Sequence, residues 1–333
     1  TAVRASGYNF ELLRTCSNNT VETGLKYVNN DACYPSILTT GQFIEALQSG
    51  KYDVNKTAII MSQTGGGCRA TNYIGFIRKA LKDAGFAQVP VISFNVVGME
   101  KMPGFKITLS LAEKLLKMVI YGDLLQKMLT KNRAYEVNKG ETQKLYEKWM
   151  EKCKDLIVNG SSKQFKDSIQ EIVDDFEKIK LDTSVERPKV GIVGEVLIKY
   201  HSFGNNFLAE KLEAEGAEVF LPDFVGFAKF ICTHKVTFNN LIKSNPILGP
   251  LMLQVIKLID KLEKPEIDAL KSSKKGYLIP DDIFELEENV EGILSIGNQT
   301  GEGWFLTAEM VQLIKSGVTN IACVQPFACL PNH

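Results

Sequence analysis

Three of the seven cysteines in this sequence share one local pattern. Each follows a segment typical of a short strand and lies in a turn with glycine or proline nearby; they are Cys33, Cys68 and Cys329. Because parallel strands end at a common edge of a sheet, such turns can bring distant thiols together. Thiolates are soft ligands that bind iron–sulfur clusters, and a cluster with three of them keeps one iron open. The spacing matches no compact ferredoxin motif, so spacing alone favours three buried, inert thiols.

The turn before Cys68 is rich in glycine. It belongs to the segment TAIIMSQTGGGCR, in which an apolar run at 58–61 predicts a buried strand and is followed by Gly65, Gly66 and Gly67. A helix is predicted after the glycines. Since glycine lets the backbone approach a ligand closely, we expect these three residues to line a cofactor site. The segment is neither a P-loop nor a dinucleotide-binding motif, so phosphate binding and a simple tight turn are both open.

A second copy of this turn occurs near the end of the chain. Residues 63–67 read QTGGG and residues 299–303 read QTGEG, which adds Gly301 and Gly303 to the candidate cofactor-binding residues. Apolar runs at 58–61 and 293–296 predict a strand before each copy, and a helix and another strand are predicted after each. We interpret the two copies as parts of two related α/β units, with chance recurrence as the alternative.

Acid–base chemistry has two weak candidates in the segment GEVLIKYHSFGNN. His201 follows a predicted strand with Glu195 nearby, and both could line the same crevice, although a polar strand end with a helix cap is the more ordinary interpretation. No Ser-His-Asp arrangement and no HExxH motif is present, which disfavours a hydrolase. The other cysteines carry less signal: we expect core positions for Cys153 and Cys323, a weak C-x-H pair at Cys232, and a loop or outer-shell thiol at Cys16.

Composition and charge restrict the class of protein. The chain has 333 residues, of which 44% are hydrophobic and 23% charged, so it can bury a sizeable core. The formal net charge is zero, which argues against a dedicated nucleic-acid binder. No signal peptide or membrane span is visible, and widely spaced cysteines in an odd number fit reduced thiols in the cytoplasm. The chain starts without methionine and ends just after a cysteine motif, so we expect a piece of a longer polypeptide.

The order of predicted elements divides the chain into three parts. We predict a first α/β domain at 1–104, a helical region at 105–186, and a second α/β domain at 187–333 with a helical insertion at about 224–272. The fold class is therefore α/β, with two Rossmann-like parallel-sheet domains and a helical insertion, facing a shared cleft. Segments 10–15 and 25–28 are predicted as short strands of the first domain, and 189–197 as a buried strand of the second.

The motifs taken together resemble a known family. The segments NNDACYP, SQTGGGCRATNYIGFIRKAL, GEVLIKYHSFGNN, GNQTGEGW and QPFACLPNH resemble the activase-related proteins of the 2-hydroxyacyl-CoA dehydratase group. The resemblance covers nearly the whole chain. It implies two Rossmann-like domains that face a cleft and a [4Fe-4S] cluster held by Cys33, Cys68 and Cys329. It also implies an ATP-hydrolysing activator domain or subunit as the partner.

The resemblance also implies a class of chemistry. In related dehydratases the activator passes one electron through the cluster to the thioester carbonyl of a 2-hydroxyacyl-CoA, and the resulting radical expels water. Relatives with a double-cubane cluster reduce small molecules instead. We therefore expect a radical dehydratase-like lyase or an ATP-dependent reductase component, with an acyl-CoA or another small molecule as substrate. Two other hypotheses are a non-catalytic docking module of a larger assembly and a small-molecule or phosphate binder that uses the two QTGxG turns.

Overall fold

The protein is a mixed α/β structure with short parallel sheets and long helices. A computed structural model describes residues 1–64, 66–94, 100, 104–242 and 245–331. The strands within these residues are β1 (Ile59–Ser62), β2 (Val91–Phe94), β3 (Lys189–Gly194), β4 (Glu218–Phe220) and β5 (Asn320–Val324). The helices are α1 (Ala2–Ala5), α2 (Asn18–Tyr27), α3 (Tyr34–Gln48), α4 (Tyr73–Asp83), α5 (Leu109–Tyr135), α6 (Glu141–Asn159), α7 (Ser162–Glu177), α8 (Val196–Tyr200), α9 (Leu208–Ala214), α10 (Phe224–Ile242), α11 (Leu248–Ser272), α12 (Ile283–Asn289) and α13 (Trp304–Lys315).

The first sheet pairs β1 and β2 in parallel, with Ile59 opposite Val91. Helix α4 connects the two strands, as parallel pairing requires a crossover. Buried residues of α4 at helical spacing, Ile74, Ile77 and Leu81, pack with the strands and with the end of α3 in one hydrophobic cluster. This packing fixes the loop between β1 and α4, which carries Cys68.

The second sheet has three parallel strands in the order β4–β3–β5. Its central strand β3 is buried from Gly191 onward and ends at Gly194, where a Cβ would lie 1.9 Å from the carbonyl oxygen of Val324. Gly194 has a φ of 144°, a conformation that favours glycine, so the strand can turn sharply into α8. The turn brings Glu195 and the end of β5 together, because the Glu195 amide donates to the Val324 carbonyl at 3.1 Å.

The largest core belongs to helices and contains neither sheet. Helices α5, α6 and α7 pack with α10 and α11 around a cluster that includes Leu124, Trp149, Phe176 and Ile259. The carboxylate of Asp123 on α5 accepts hydrogen bonds from the Phe224 and Val225 amides at 3.0 and 2.9 Å, and so it caps the start of α10. The two helical segments predicted at 105–186 and about 224–272 are therefore packed against each other.

Helices α2 and α3 approach each other through glycines. A Cβ at Gly24 would lie 2.1 Å from the Ile37 carbonyl oxygen, and a Cβ at Gly41 would lie 2.0 Å from the Thr20 carbonyl oxygen. Only glycine permits such a close approach of two backbones. This contact sets the position of α3, whose first turn follows Cys33.

Several predicted strands are absent from the described residues, and the reasons differ. Residues 25–28 end α2, which Ser17 and Thr20 begin with a capping box. Residues 10–15 and 293–296 join neither sheet, and Ile293 is 63% exposed. The strand predicted at 189–197 stops at Gly194 because residues 196–200 are helical. The coarse α/β class is confirmed, and so are the long helices and the strands predicted at 58–61, 89–95, 218–221 and 320–324, with differences of one or two residues at their ends.

Within the described residues, no helix is both long enough and apolar enough to cross a membrane.

Candidate functional site

Cys33 occupies a strained position at the start of α3. It follows a short 3₁₀ turn at Asn30–Ala32, so the prediction that it follows a strand is wrong. Its φ is 106°, which a residue with a side chain rarely adopts. The thiol is buried and shares a hydrogen bond of 3.3 Å with the Tyr73 hydroxyl. Burial raises the pKa of Cys33, and the Tyr73 hydrogen bond acts in the opposite direction. Strain of this kind is retained where the surrounding structure requires it, and it is common at functional sites.

Cys68 lies between β1 and α4, as predicted, at the start of the 3₁₀ turn Arg69–Asn72. Its sulfur accepts a hydrogen bond from the Ala70 amide at 3.4 Å. Burial raises the pKa of Cys68 to about 11, and the negative charges of Glu302, Cys33 and Glu195 contribute in the same direction. The thiol is therefore protonated at neutral pH in the metal-free protein.

Cys329 follows β5 in a tight turn. Its amide donates to the Pro326 carbonyl at 3.2 Å, and the residue before it, Ala328, has a φ of 57°. The side chain of Cys329 is 2% exposed. Four described residues other than glycine have a positive φ. Two of them are Cys33 and Ala328, which directly precedes Cys329.

Contacts join the turns that carry the three cysteines, and the Cys68 turn is joined through the second glycine turn. The Tyr34 amide donates to the Phe327 carbonyl at 3.1 Å, which links the Cys33 turn to the Cys329 turn. A Cβ at Gly67 would lie 3.0 Å from Thr300 Cγ2, so the turn before Cys68 contacts the second glycine turn.

The second glycine turn also contacts Pro331, two residues after Cys329. A Cβ at Gly301 would lie 2.4 Å from Pro331 Cγ. The two QTGxG turns are therefore adjacent in space, and the three cysteine turns form one group, which we call the cysteine loops.

The repeat itself is only partial. Both QTGxG turns precede a helix, but only the first follows a strand. Trp304 stands where Cys68 stands in the first copy, and it is fully buried in an aromatic cluster with Phe230 and Phe305. Gly303 adopts a φ of 50°, and a Cβ on it would lie 2.0 Å from the carbonyl oxygen of Asn298. The conformation of this turn therefore requires glycine at position 303.

The remaining glycines of the first turn differ in their surroundings. A Cβ at Gly66 would meet nothing within 4 Å, so no close approach requires glycine there. Gly65 lies outside the described residues.

Two carboxylates add negative charge beside the cysteine loops. Glu195 caps α8 by accepting from the Ile198 amide at 2.9 Å, and Glu302 accepts from the Val196 amide at 2.9 Å. Burial raises the pKa of Glu195 to about 7, with the charge of Glu302 adding to the effect. Glu195 can therefore take up or release a proton near neutral pH.

His201 has a structural role in the described residues. It ends α8, and its Nδ1 accepts a hydrogen bond from the Gly204 amide at 2.9 Å. Burial lowers the pKa of His201, so the ring is neutral at pH 7. Of the two acid–base candidates, Glu195 is the one whose charge acts on Cys33 and Cys68.

The surroundings of the sulfurs bear on whether they could hold a metal ion or a cluster. Among the described residues, no three Cys, His, Asp or Glu side chains are arranged to hold one metal ion. A cluster binds each thiolate through a different iron, so its ligands stand further apart than those around one ion. The Tyr73 hydroxyl and the Ala70 amide already contact the Cys33 and Cys68 sulfurs, and hydrogen bonds of this kind tune such clusters. The three cysteines and these groups are chemically suited to a cluster.

Two buried amide oxygens near the cysteine loops have no hydrogen-bond donor among the described residues. They are Oε1 of Gln299, next to Thr300, and Oε1 of Gln325, at the end of β5. A buried acceptor without a donor costs free energy, so each of these oxygens is available to accept a hydrogen bond from a bound ligand or water. Neither oxygen was predicted from the sequence, although the QTG motif was the available signal for Gln299.

The remaining cysteines lie in varied places. Cys153 and Cys232 are buried among helices, and Cys16 is partly exposed in the loop before α2. Cys323 was expected in the core, but it is exposed on β5.

Comparisons with models of known protein families, with curated proteins and with solved structures found no match.

Proposed function

We propose that this chain is an iron–sulfur redox module whose [4Fe-4S] cluster is held by Cys33, Cys68 and Cys329. The observation that carries the proposal is the joining of the three cysteine turns. The Tyr34–Phe327 hydrogen bond links two of the turns, and the contacts Gly67–Thr300 and Gly301–Pro331 link the third. Buried cysteines that serve only packing are scattered through a core. Nothing then requires the loops that carry them to be in contact.

The surrounding groups support a cluster of low reduction potential. When bound, the cluster supplies one-electron transfer. Glu195 and Glu302 place carboxylates beside the cysteine loops, and negative charge near a cluster favours its oxidised form. Glu195 holds a proton that it can release near neutral pH, as proton-coupled reduction of a small molecule requires.

The wider proposal follows the family resemblance. The chain would consist of two Rossmann-like domains with helical additions, work in the cytoplasm, and receive electrons from an ATP-hydrolysing activator domain or subunit. The reaction would be either a dehydratase-like elimination on an acyl-CoA or the reduction of another small molecule. The catalytic proton carrier would be Glu195, because His201 is engaged in the turn that ends α8.

The test is the iron and acid-labile sulfide content of protein purified or reconstituted without oxygen. We expect stoichiometric iron and sulfide in the parent, with a matching EPR signal after reduction. Cys33→Ser, Cys68→Ser and Cys329→Ser should each lose most of the iron. Cys153→Ala and Cys232→Ala are matched controls, because both replace buried thiols away from the cysteine loops, and both should keep it.

A folded parent that takes up no specific iron would refute the proposal. Equal loss of iron in the control variants would also refute it, because the binding would then not depend on these three thiols. Circular dichroism of every variant establishes that the fold is retained.

A second candidate function is the binding of a small molecule without iron. The two acceptors without donors, Gln299 Oε1 and Gln325 Oε1, favour a ligand with N–H or O–H groups. In that case Gln299→Leu and Gln325→Leu would abolish ligand-dependent thermal stabilisation in a screen of amides, alcohols and phosphates, and the three Cys→Ser variants would retain it.

A further inference from the structure

One surface of the protein combines exposed aliphatic side chains with carboxylates. It is a groove of about 620 Å³ formed by residues 287–296, at the end of α12 and in the turn that follows. Ile293 is 63% exposed and Ile296 is 37% exposed, and both line the groove. Exposed aliphatic residues that line a concave surface are typical of a site that another molecule covers.

The charged side chains that line this groove are all carboxylates, and one cation lies next to it, because the Lys315 ammonium donates to the Asn289 amide oxygen. Residues 276–314 contain no Lys, Arg or His, whereas the whole chain has a net charge of zero. The same segment contains the acidic residues Asp281, Asp282, Glu285, Glu287, Glu288, Glu291, Glu302 and Glu309. Glu309 is already paired with Lys199 and Asp281 is partly buried, so the negative charge that a partner would meet is that of α12 and the turn after it.

The carboxylates of the groove are available to a partner. Glu287, Glu288 and Glu291 line it, and none of them forms an ion pair within the part of the chain that the structure describes. Elsewhere the protein pairs its exposed acids readily, as in Glu171 with Lys152. A complementary partner would therefore carry cations to pair with these three carboxylates and an apolar side chain to cover the two exposed isoleucines.

We propose that this groove docks a helical segment of a partner protein that presents Lys or Arg side chains next to an aliphatic anchor. The aliphatic anchor covers Ile293 and Ile296, and the cations meet Glu287, Glu288 and Glu291 at the rim. Nucleic acids and anionic membranes are repelled by the same carboxylates, and so is the groove of a second copy of this chain.

The groove also has a defined place in the fold. Its last residue, Ile296, is four positions before Thr300, which contacts Gly67 of the cysteine loops. A partner bound in the groove therefore lies beside the candidate site. The docking proposal does not require a cluster, so it stands or fails separately from the function proposed above.

The probe is a fluorescein-labelled synthetic peptide, an amphipathic helix with Leu on one face and Lys on the other. The measurement is fluorescence anisotropy with the whole chain at low and physiological salt. We expect Glu288→Lys/Glu291→Lys to raise Kd by about tenfold or more. The matched control is Glu22→Lys/Glu210→Lys, which makes the same change in net charge at two exposed acids on α2 and α9, and it should leave Kd unchanged.

A third variant separates docking from general charge attraction. Ile293→Ser alters no charge and should also raise Kd by about tenfold, because it removes an apolar contact of the anchor. The proposal is overturned if the parent does not bind the peptide, if the control variant weakens binding as much as the groove variant, or if Ile293→Ser has no effect. A peptide with Glu in place of Lys should not bind.

Discussion

The Tyr73 hydroxyl and the Cys33 thiol share a hydrogen bond of 3.3 Å in a buried space, although the two residues are 40 positions apart. Tyr73 is the first residue of α4, and Cys33 directly precedes α3. The bond thus joins the starts of two helices that both follow candidate cluster ligands. It is also the side-chain contact that reduces the cost of ionising Cys33.

Tyr73→Phe should make Cys33 harder to ionise. Removing the hydroxyl leaves burial unopposed by this hydrogen bond, so the pKa of the Cys33 thiol rises further. We expect the midpoint of Cys33 alkylation against pH, followed by mass spectrometry on iron-free protein, to move up by as much as about one pH unit. Tyr121→Phe, which loses a hydrogen bond to Ser168 in the helical core, is the control. A midpoint that stays or falls contradicts the prediction.

The buried ion pair of Lys199 and Glu309 should respond differently to single and double substitution. Lys199 Nζ lies 2.8 and 2.9 Å from the two Glu309 oxygens, and both side chains are almost fully buried. Glu309→Ala leaves a buried cation without its partner and should lower the free energy of unfolding by about 3–5 kcal/mol.

The double variant Lys199→Met/Glu309→Leu removes both charges and should cost less than the single variant. Urea unfolding followed by circular dichroism compares the free energies of unfolding of the wild type, Glu309→Ala and the double variant. If the double variant is as unstable as Glu309→Ala or more so, the ion pair is not the source of the loss.

Asp281→Asn should flatten the dependence of stability on pH. Burial raises the pKa of Asp281 from its ordinary 3.8 to about 7, with the charge of Asp223 adding to the effect. The folded protein thus holds a proton that the unfolded chain releases, so wild-type stability falls as pH rises from 3.8 to about 7. Asparagine stays neutral and can still accept the hydrogen bond from Gln312.

The variant should therefore be more stable than the wild type at pH 8, by about 1–3 kcal/mol, with little difference below pH 4. Unfolding midpoints measured across this pH range give the comparison. Asp167→Asn, at an exposed position on α7, is the control and should follow the wild-type profile. A profile for Asp281→Asn parallel to that of the wild type would count against the prediction.

Alanine at two glycines should have opposite effects. Gly24→Ala places a Cβ 2.1 Å from the Ile37 carbonyl oxygen, which forces α2 and α3 apart and should cost about 2–3 kcal/mol. Gly122→Ala lies within α5, where a Cβ meets nothing within 4 Å, and should stabilise by about 0.5–1 kcal/mol. Thermal unfolding distinguishes the two, and destabilisation by Gly122→Ala would show that backbone propensity does not decide that position.

Periodicity and capping signals were sufficient for the long helices. The 105–180 region and α10, α11 and α13 carry apolar residues at helical spacing, and that pattern depends only on neighbours along the chain. The strands β1, β2, β3, β4 and β5 were also predicted, with errors of a few residues at their ends. Segment 25–28 (LKYV) was misassigned because a pattern of four residues does not distinguish a strand from the end of a helix, and the cap at Ser17 was overlooked.

The sequence by itself determined the α/β class, the glycine turns and which three cysteines lie in turns with glycine or proline nearby. Only the tertiary structure decided that these turns touch, that Cys33 adopts a φ of 106° and that Tyr73 lies against its thiol. It also decided that Cys323 is exposed and that 293–296 forms a groove instead of a strand. The physical reason is range: helices and turns depend on residues a few positions apart, whereas burial, backbone contact and pKa depend on segments far apart in sequence that only packing brings together.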